Sequence, residues 1–186
     1  MPEPTTRAPA DRRAAVLDSA LATFARFGYR KTSMEEVARA ARISRPGLYF
    51  LFSSKEELFR AAAARALEGD LAEAERALGE RDRSLADRLL DAFDHWAGRY
   101  LGPLARDVAA VLDDNPELLG ELARSAPDRF AALVTDALAA GAEPGDRTPE
   151  HLAQTLISTS IGIKHQVDDR AGYRERLAIA IGLLPR

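Results

Sequence analysis

Apolar residues recur at helical spacing along almost the whole chain, and no segment alternates cleanly between apolar and polar positions over five residues. Spacings of three, four and seven residues place side chains on one face of an α-helix, whereas a half-buried strand requires a period of two. The sequence therefore predicts an all-α protein without a sheet, built from about nine helices.

Residues that typically start and end helices divide the chain at regular intervals. Ser33 with Glu36 and Ser54 with Glu57 have the spacing of capping boxes, in which a hydroxyl and a carboxylate satisfy free N–H groups at a helix start. Asp11 is a further predicted N-cap. The remaining predicted helix starts are Ser44, Ser84, Pro127 and Thr148, the predicted ends are Gly28 and Gly141, and another helix is predicted over about 104–111.

Charge is divided unevenly along the 186 residues. Residues 1–65 contain 12 Lys or Arg and 7 Asp or Glu, a net of +5, whereas residues 66–186 contain 14 and 22, a net of −8. A basic N-terminal third suggests a module that binds a polyanion, although a local excess of this size also arises by chance. We predict a flexible arm over 1–10, a polyanion-binding domain over 11–56 and a second helical domain over 57–186.

Several classes of protein are disfavoured by what the sequence lacks. There is no cysteine, which excludes disulfides and thiolate metal sites and fits a reducing cytoplasm. No run approaches the roughly 18 apolar residues of a membrane span. No two of His95, His151 and His165 share the i, i+4 spacing of a helical metal site, and no glycine-rich phosphate loop or nucleophile motif is present. We therefore expect no metal, no cofactor and no enzymatic activity.

The segment ISRPGLYFLF, residues 43–52, combines a tight turn with the start of a short helix. Two short helices joined by such a turn form a helix-turn-helix, whose second helix lies in the DNA major groove with its first residues against the bases. Arg45 can donate two hydrogen bonds to a guanine, which is worth about 1–3 kcal/mol of discrimination. Pro46 offers an apolar surface, and Gly47 allows the helix backbone to approach the bases closely.

The helical wheel of this segment separates a core side from a DNA side. Leu48 and Phe52 are four residues apart and are predicted to face the core, whereas Tyr49 and Phe50 fall on the sides where DNA would lie. Lys55, at the start of the next helix, adds its charge to the positive end of the helix dipole, which suits a phosphate.

Residues 12–60 resemble the DNA-binding domain of the tetracycline-repressor (TetR) family of bacterial regulators. The resemblance is dense and without gaps. It rests on Arg13, Ala20, Phe24, Gly28, Tyr29, Thr32, Ser33, Val37, Ala38, Ala41, Ile43, Ser44, Gly47, Leu48, Tyr49, Phe52, Lys55 and Leu58.

The resemblance implies roles for the same residues. In that family, residues placed like Tyr49 and Lys55 contact phosphates, and the start of the helix near Ser33 approaches the DNA backbone. Residues placed like Arg45, Pro46, Gly47 and Phe50 face bases or sugars.

Two positions depart from the family pattern. Arg42 replaces the glycine that is usual in the turn, so it carries strain if the position needs a positive φ, and it can bring a charge near DNA. Leu51 stands where His or Tyr is common, which removes one polar contact.

The resemblance also implies a C-terminal domain that binds a small ligand and dimerises through its last two long helices. The predicted effector pocket consists of Phe93, Trp96, Tyr100 and Phe130. For each of these residues taken alone, ordinary helix-packing core is the competing interpretation.

The predicted dimer interface lies on the last two helices. Leu156, Thr159 and Ile163 form one helical face, and small neighbours would let a second helix approach closely. Tyr173, Leu177 and Ile181 form the corresponding stripe of the last helix. The same residues also fit ordinary intrachain core, and the sequence leaves both interpretations open.

The helix-turn-helix pattern predicts a DNA-binding protein, and the resemblance implies a ligand-responsive bacterial transcriptional regulator. The expected form is a repressor that binds a palindromic operator in double-stranded DNA as a homodimer and is released by a small-molecule effector. A homodimer suits this role because one short helix reads few base pairs, whereas two related by a two-fold axis read a palindrome. The alternative is a sequence-specific DNA-binding protein without an effector.

Overall fold

The computed structural model describes residues 9–98, 101, 121–141 and 148–183. These residues form eight α-helices and no strand, which confirms the all-α prediction, while the helix predicted over about 104–111 and the arm up to residue 8 lie outside them. The helices are α1 (Pro9–Phe27), α2 (Met34–Ala40), α3 (Arg45–Leu51), α4 (Lys55–Gly79), α5 (Leu85–Trp96), α6 (Leu122–Ala139), α7 (Pro149–Lys164) and α8 (Arg170–Gly182).

Short polar side chains set most helix starts, as the sequence predicts. The Ser33 hydroxyl accepts from the N–H of Glu36 at 3.2 Å, and the Glu36 carboxylate accepts from the N–H of Ser33 at 2.7 Å, which completes the capping box. Ser84 and Thr148 likewise accept from the N–H three residues further on. At the end of α1, Gly28 has φ 79° and donates to the carbonyl of Phe24 at 2.8 Å, a left-handed ending that glycine adopts without strain.

Two predicted helix starts are wrong. Helix α1 begins at Pro9, so Asp11 lies in its first turn instead of at its N-cap, where its charge still favours the helix dipole. Helix α6 begins at Leu122, and Pro127 lies inside it. The proline lacks an N–H and removes one helical hydrogen bond, but the turn before it is closed by the N–H of Ser125, which donates to Glu121 O at 2.9 Å.

The second predicted capping box differs in one partner. The Ser54 hydroxyl accepts from the N–H of Glu57 at 3.0 Å, as expected. The Glu57 carboxylate, however, accepts from the N–H and the hydroxyl of Ser53, at 2.8 and 2.6 Å. These bonds hold the pKa of Glu57 below its ordinary value and fix the chain where α3 leads into α4.

The described residues belong to two compact units that divide inside α4, between residues 66 and 67. The boundary predicted from the sequence, at 56–57, lies in the first turn of α4. The first turns of α4 carry Leu58, Phe59 and Ala62, which are buried, and Phe59 packs edge-on against Phe24 of α1 with ring centroids 5.2 Å apart. These turns therefore complete the core of the first unit.

The second unit contains the rest of α4 and helices α5 to α8. Helix α6 packs against α7, α5 against α8, and α7 against α8. Its core includes Phe93, Phe130, Leu156, Tyr173 and Leu177, each at most 2% exposed. No helix among the described residues is long and apolar enough to cross a membrane.

A buried carboxylate joins α5 to α8. The Asp94 side chain is 4% exposed and accepts from Arg170 Nε and Nη2 at 2.9 and 2.6 Å and from Arg174 Nη1 at 2.6 Å. Arg174 also donates to Asp91 at 2.8 Å, and Asp91 accepts from Arg83 at 2.7 Å. Burial raises the pKa of Asp94, but the arginine hydrogen bonds outweigh it and hold the pKa below its ordinary value. The ionised form is therefore part of the folded state.

Replacing this carboxylate should weaken the second unit measurably. Asp94→Asn should lower the free energy of unfolding by about 1–3 kcal/mol, because two arginines lose charge-assisted hydrogen bonds. Since the folded pKa of Asp94 lies below its unfolded value of about 3.9, its stabilisation is present above that value and is lost as the pH falls through the lower folded pKa. Urea unfolding at neutral pH and at a series of pH values below 4 measures both effects, and the variant should lose less stability on acidification than the parent.

The exposed Glu68–Arg129 pair supplies the matched control. Its two hydrogen bonds, at 2.6 and 3.0 Å, repeat the bidentate chemistry with both side chains about half exposed. Glu68→Gln should change stability by less than about 1 kcal/mol. Equal losses in the two variants would contradict the role given to Asp94.

Candidate nucleic-acid interface

Helices α2 and α3 are joined by a turn over residues 41–44 whose backbone is closed by hydrogen bonds. The N–H of Ile43 donates to Ala38 O at 3.0 Å, and the N–H of Arg42 donates to Arg39 O at 3.2 Å. This pattern ends a helix with one residue in the left-handed conformation. That residue is Arg42, with φ 56°, the single non-glycine residue with positive φ in the described part of the chain. The sequence-based expectation of strain is confirmed, at about 1–2 kcal/mol for a side chain other than glycine.

The start of α3 is shaped by its cap. The Ser44 hydroxyl accepts from the N–H of Gly47 at 3.1 Å, and Pro46 occupies the first turn, where its missing N–H is tolerated. A Cβ on Gly47 would lie 3.0 Å from Ser44 Oγ. A side chain at position 47 would therefore press on the capping hydroxyl, whereas Gly47 leaves the cap undisturbed and allows a close approach to α3.

One side of α3 packs into the core of the first unit, and its other sides are exposed. Leu48 and Phe52 are 0% and 1% exposed, and the guanidinium of Arg13 lies 4.6 Å above the Phe52 ring. Phe50 is 90% exposed and Tyr49 is 43% exposed, as the helical wheel predicts. We define the reading surface as the outward part of α3, namely Arg45, Pro46, Gly47, Tyr49 and Phe50.

Arg45 has its charge available on this surface. Its guanidinium lies 5.7 Å from the ring centroid of Tyr49, and it forms no ion pair with any described residue. A large aromatic side chain that is 90% exposed is costly to leave in water and is typical of a binding surface. An arginine without an ion-pair partner, beside the exposed Tyr49 ring, can bind base edges, sugars and phosphates.

The Ser33 side chain is already engaged within the protein. Its hydroxyl donates to Glu36 Oε2 at 2.8 Å while accepting from the N–H of Glu36. Backbone and side-chain hydrogen bonds from Ser33 hold the pKa of Glu36 below its ordinary value, so a negative charge stands at this helix start. A phosphate at the start of α2 would therefore meet the N–H groups of Met34 and Glu35 instead of a free Ser33 hydroxyl.

Lys55 also has partners within the chain. Its ammonium donates to the carbonyls of Tyr29 and Thr32, at 3.0 and 3.2 Å, and lies 4.5 Å from the centroid of the Tyr29 ring. Both carbonyls belong to the segment between α1 and α2, so Lys55 joins that segment to the start of α4. The ammonium has three N–H groups, and the third forms no hydrogen bond with a described residue.

The predicted effector-pocket residues that the structure describes lie together. The rings of Phe93 and Phe130 meet edge-on with centroids 5.0 Å apart, and Trp96 stacks on Phe130 at 4.8 Å with an interplanar angle of 9°. Phe93 and Phe130 are buried in the core of the second unit, and Trp96 is partly exposed. Tyr100 lies outside the described residues.

The predicted dimer-interface residues are mostly buried within their own unit. Thr159 alone among the six is partly exposed, and the side chains at most 6% exposed are Leu156, Ile163, Tyr173, Leu177 and Ile181. This burial favours the intrachain-core interpretation that the sequence left open, because a side chain covered by its own chain offers no surface to a second copy. Helical periodicity identifies the buried face of a helix but does not show what covers it.

The same two helices expose other apolar residues. Ile161 in α7, Ile179 in α8 and Leu183 just after α8 are 55%, 63% and 78% exposed. A groove of about 370 Å³ lies between α7 and α8. The groove is lined by His151, Leu152, Thr155, Leu156, Thr159, Ala180 and Leu183.

Sequence reasoning missed two features of the second unit. Nothing in the spacing of Asp94, Arg170 and Arg174 indicates that they meet, because the two helices are more than 70 residues apart in sequence. The exposed Ile161 and Ile179 could have been found as apolar residues outside the main stripe of their helices. Among the described residues, no group of three or more His, Asp or Glu side chains is arranged to hold a metal ion.

The first unit is thus a helix-turn-helix domain with an exposed second helix. Residues 16–62 match the tetR family of bacterial regulatory proteins. The chain is 33% identical over 125 residues to the transcriptional regulator YfiR of Bacillus subtilis, a match that covers 67% of this chain and 51% of YfiR. It is 29% identical over 155 residues to the nicotine-responsive transcriptional repressor HdnoR of Paenarthrobacter nicotinovorans, covering 79% of this chain and 78% of HdnoR.

A solved structure agrees with this comparison. The TetR-family regulator PfmR of Thermus thermophilus superposes with a TM-score of 0.66 at 21% identity, over 92% of this chain and 99% of PfmR, which shows a common fold. Residues 16–62 thus form a DNA-binding domain of the tetR family of bacterial regulatory proteins. The chain spans about half the length of YfiR.

The contacts of Lys55 generate a test of its role within the fold. Lys55→Met keeps a straight side chain but removes the ammonium, and it should lower the free energy of unfolding by about 1–2 kcal/mol because two carbonyls lose a charged donor. Urea unfolding followed by circular dichroism measures the change. Lys31→Met is the matched control, since Lys31 is exposed and forms no described contact. If both variants are as stable as the parent, Lys55 does not hold the α1–α2 segment.

Proposed function

We propose that this protein is a ligand-responsive transcriptional regulator, in the form of a repressor that binds a palindromic operator as a homodimer and is released by a small-molecule effector. The observation that carries the proposal is the reading surface of α3, which holds an unpaired Arg45 and a 90% exposed Phe50 on a helix anchored from behind by Leu48 and Phe52. Because its partner is operator DNA, we place the protein in the bacterial cytoplasm.

Each residue of the reading surface has a specific task in this proposal. Arg45 donates to O6 and N7 of a guanine, which is the commonest specific contact of arginine in the major groove. Pro46 and Phe50 contact thymine methyl groups or sugars, and Gly47 permits the close approach. The Tyr49 hydroxyl and the third N–H of Lys55 bind phosphates, which position α3 without reading sequence.

The homodimer is supported by the apolar surface of α7 and α8. Ile179 and Leu183 are exposed one helical turn apart, Leu183 also lines the groove between α7 and α8, and an apolar patch of this kind is typical of a protein interface. A second copy placed on the patch by a two-fold axis removes these side chains from water. It also supplies the second α3 that a palindrome requires.

The effector is supported by the nicotine-responsive repressor HdnoR, which matches this chain over most of its length. We place the effector site beside Trp96, whose ring stacks on Phe130 and remains partly exposed. The alternative of a DNA-binding protein without an effector is favoured by one observation: Phe93 and Phe130 are buried against each other, so their side chains leave little room for a ligand.

Selection of genomic DNA fragments by the purified protein at near-physiological salt, followed by sequencing, tests the proposal. We expect enrichment of one palindromic sequence. Small molecules suggested by the neighbouring genes can then be screened for release of that DNA. Failure to enrich any sequence would contradict a sequence-specific regulator, whereas enrichment without release by any compound would favour the alternative without an effector.

The role of Arg45 gives a sharper test on the selected sequence. Arg45→Ala should relax the preference at one base position in each half-site, with a loss of about 1–3 kcal/mol on the parent sequence. Tyr49→Phe is the control, because it removes only a hydroxyl that is proposed to contact phosphate. It should weaken binding to all sequences by the same factor. Binding to a library of single-base variants measures both. If Arg45→Ala loses the same binding affinity on every sequence, Arg45 does not read a base.

The proposed interface is tested by adding a charge to it. Ile179→Glu should shift the protein from dimer to monomer in analytical ultracentrifugation and weaken operator binding, because the carboxylate would be buried without a partner. Helical content should not change, since Ile179 is exposed in the single chain. Ala132→Glu, which places the same charge on an exposed position of α6, should leave the dimer intact. A dimeric Ile179→Glu protein would contradict the assigned surface.

A further inference from the structure

Arg42 is strained and its side chain is free. It adopts φ 56° at the end of α2, in a pattern of hydrogen bonds that glycine would satisfy without strain. Its side chain is exposed and forms no hydrogen bond, ion pair or ring contact with any described residue. The fold of the first unit therefore does not account for the presence of arginine at this position.

The neighbouring cations differ from Arg42 in this respect. Arg39 lies 3.8 Å from the carboxylate of Glu35, Arg45 lies over the Tyr49 ring, and Lys55 donates to two carbonyls. Within residues 33–55, Arg42 is the cation whose side chain has no described partner. Its charge is consequently the most available for an external anion.

The start of α3 has little capacity to bind an anion through its backbone. Pro46 has no N–H, and the N–H of Gly47 donates to Ser44 Oγ at 3.1 Å. In the first three positions this leaves the N–H of Arg45 as the free backbone donor. A phosphate beside the start of α3 must therefore be held mainly by a side chain, and Arg42 lies three residues before Arg45 on the turn that leads into the helix.

We propose that Arg42 is an additional DNA-contact residue, whose guanidinium binds the phosphate next to the point where α3 meets the major groove. This inference rests on the proposed function. A guanidinium suits the task because it stays charged and binds two phosphate oxygens at once. The strained backbone at Arg42 is then retained because glycine, which would relieve the strain, would also remove the phosphate contact.

Three variants separate the contact from the strain. Arg42→Gly should raise the midpoint of urea unfolding and yet weaken DNA binding. Arg42→Gln keeps the Cβ and removes the charge, so it should weaken binding equally without the stability gain. Arg42→Lys should recover most of the binding, because it restores a charge at the same place.

Binding should be measured against salt concentration on the selected operator and on a random-sequence duplex. Loss of one phosphate contact reduces the slope of log K against log salt by about 0.9 per protomer, and we expect this reduction for Arg42→Gly and Arg42→Gln on both DNAs. Arg65→Gln is the control, since Arg65 already pairs with Asp18 at 3.0 Å and should leave the slope unchanged.

The outcomes distinguish this inference from the function on which it rests. A parent-like slope for Arg42→Gly, with normal operator preference in the parent protein, overturns the role of Arg42 alone. If the parent protein shows no preference for any sequence, the proposed regulator and the Arg42 contact both fail. Base preferences that change in Arg42→Gln would make Arg42 a base-reading residue and would likewise overturn the phosphate contact.

Discussion

The burial of Leu48 and Phe52 is the constraint on which the presentation of α3 depends. A helix of seven residues is too short to be stable alone, so its position must come from tertiary packing. These two side chains are almost fully buried, and Arg13 covers the Phe52 ring. Because one side of α3 is anchored, its remaining positions are exposed, and they form the surface that we propose for DNA recognition.

A second set of contacts keeps the surroundings of α3 in place. Lys55 holds the segment between α1 and α2 by donating to two of its carbonyls. The Glu57 carboxylate holds Ser53, two residues after α3, by accepting from the N–H and the hydroxyl of Ser53. Charged side chains thus stabilise the fold at a surface that we propose binds DNA. A role in the fold does not exclude phosphate binding by Lys55, because its ammonium still has one N–H to donate.

Much of the first unit could be predicted from the sequence because its signals are local. The cap at Ser33, the ending at Gly28 and the opposed directions of Leu48 and Phe50 all depend on residues within about one helical turn. For Arg42 the sequence predicted strain only on the condition of a positive φ, and the structure meets that condition. The start of α6 was missed because proline tends to begin helices, and only the surrounding chain shows that Pro127 lies inside one.

In the second unit, the sequence by itself determined which residues are apolar and which of them share a helical face. Tertiary structure decided what covers those faces: Leu156, Tyr173 and Leu177 are covered by their own chain, whereas Ile161 and Ile179 remain exposed. It also decided that Asp94 meets Arg170 and Arg174 across 76 and 80 residues of sequence. The physical reason is the range of the interactions, because helix caps and turns close within a few residues, whereas burial and ion pairing depend on segments that only folding brings together.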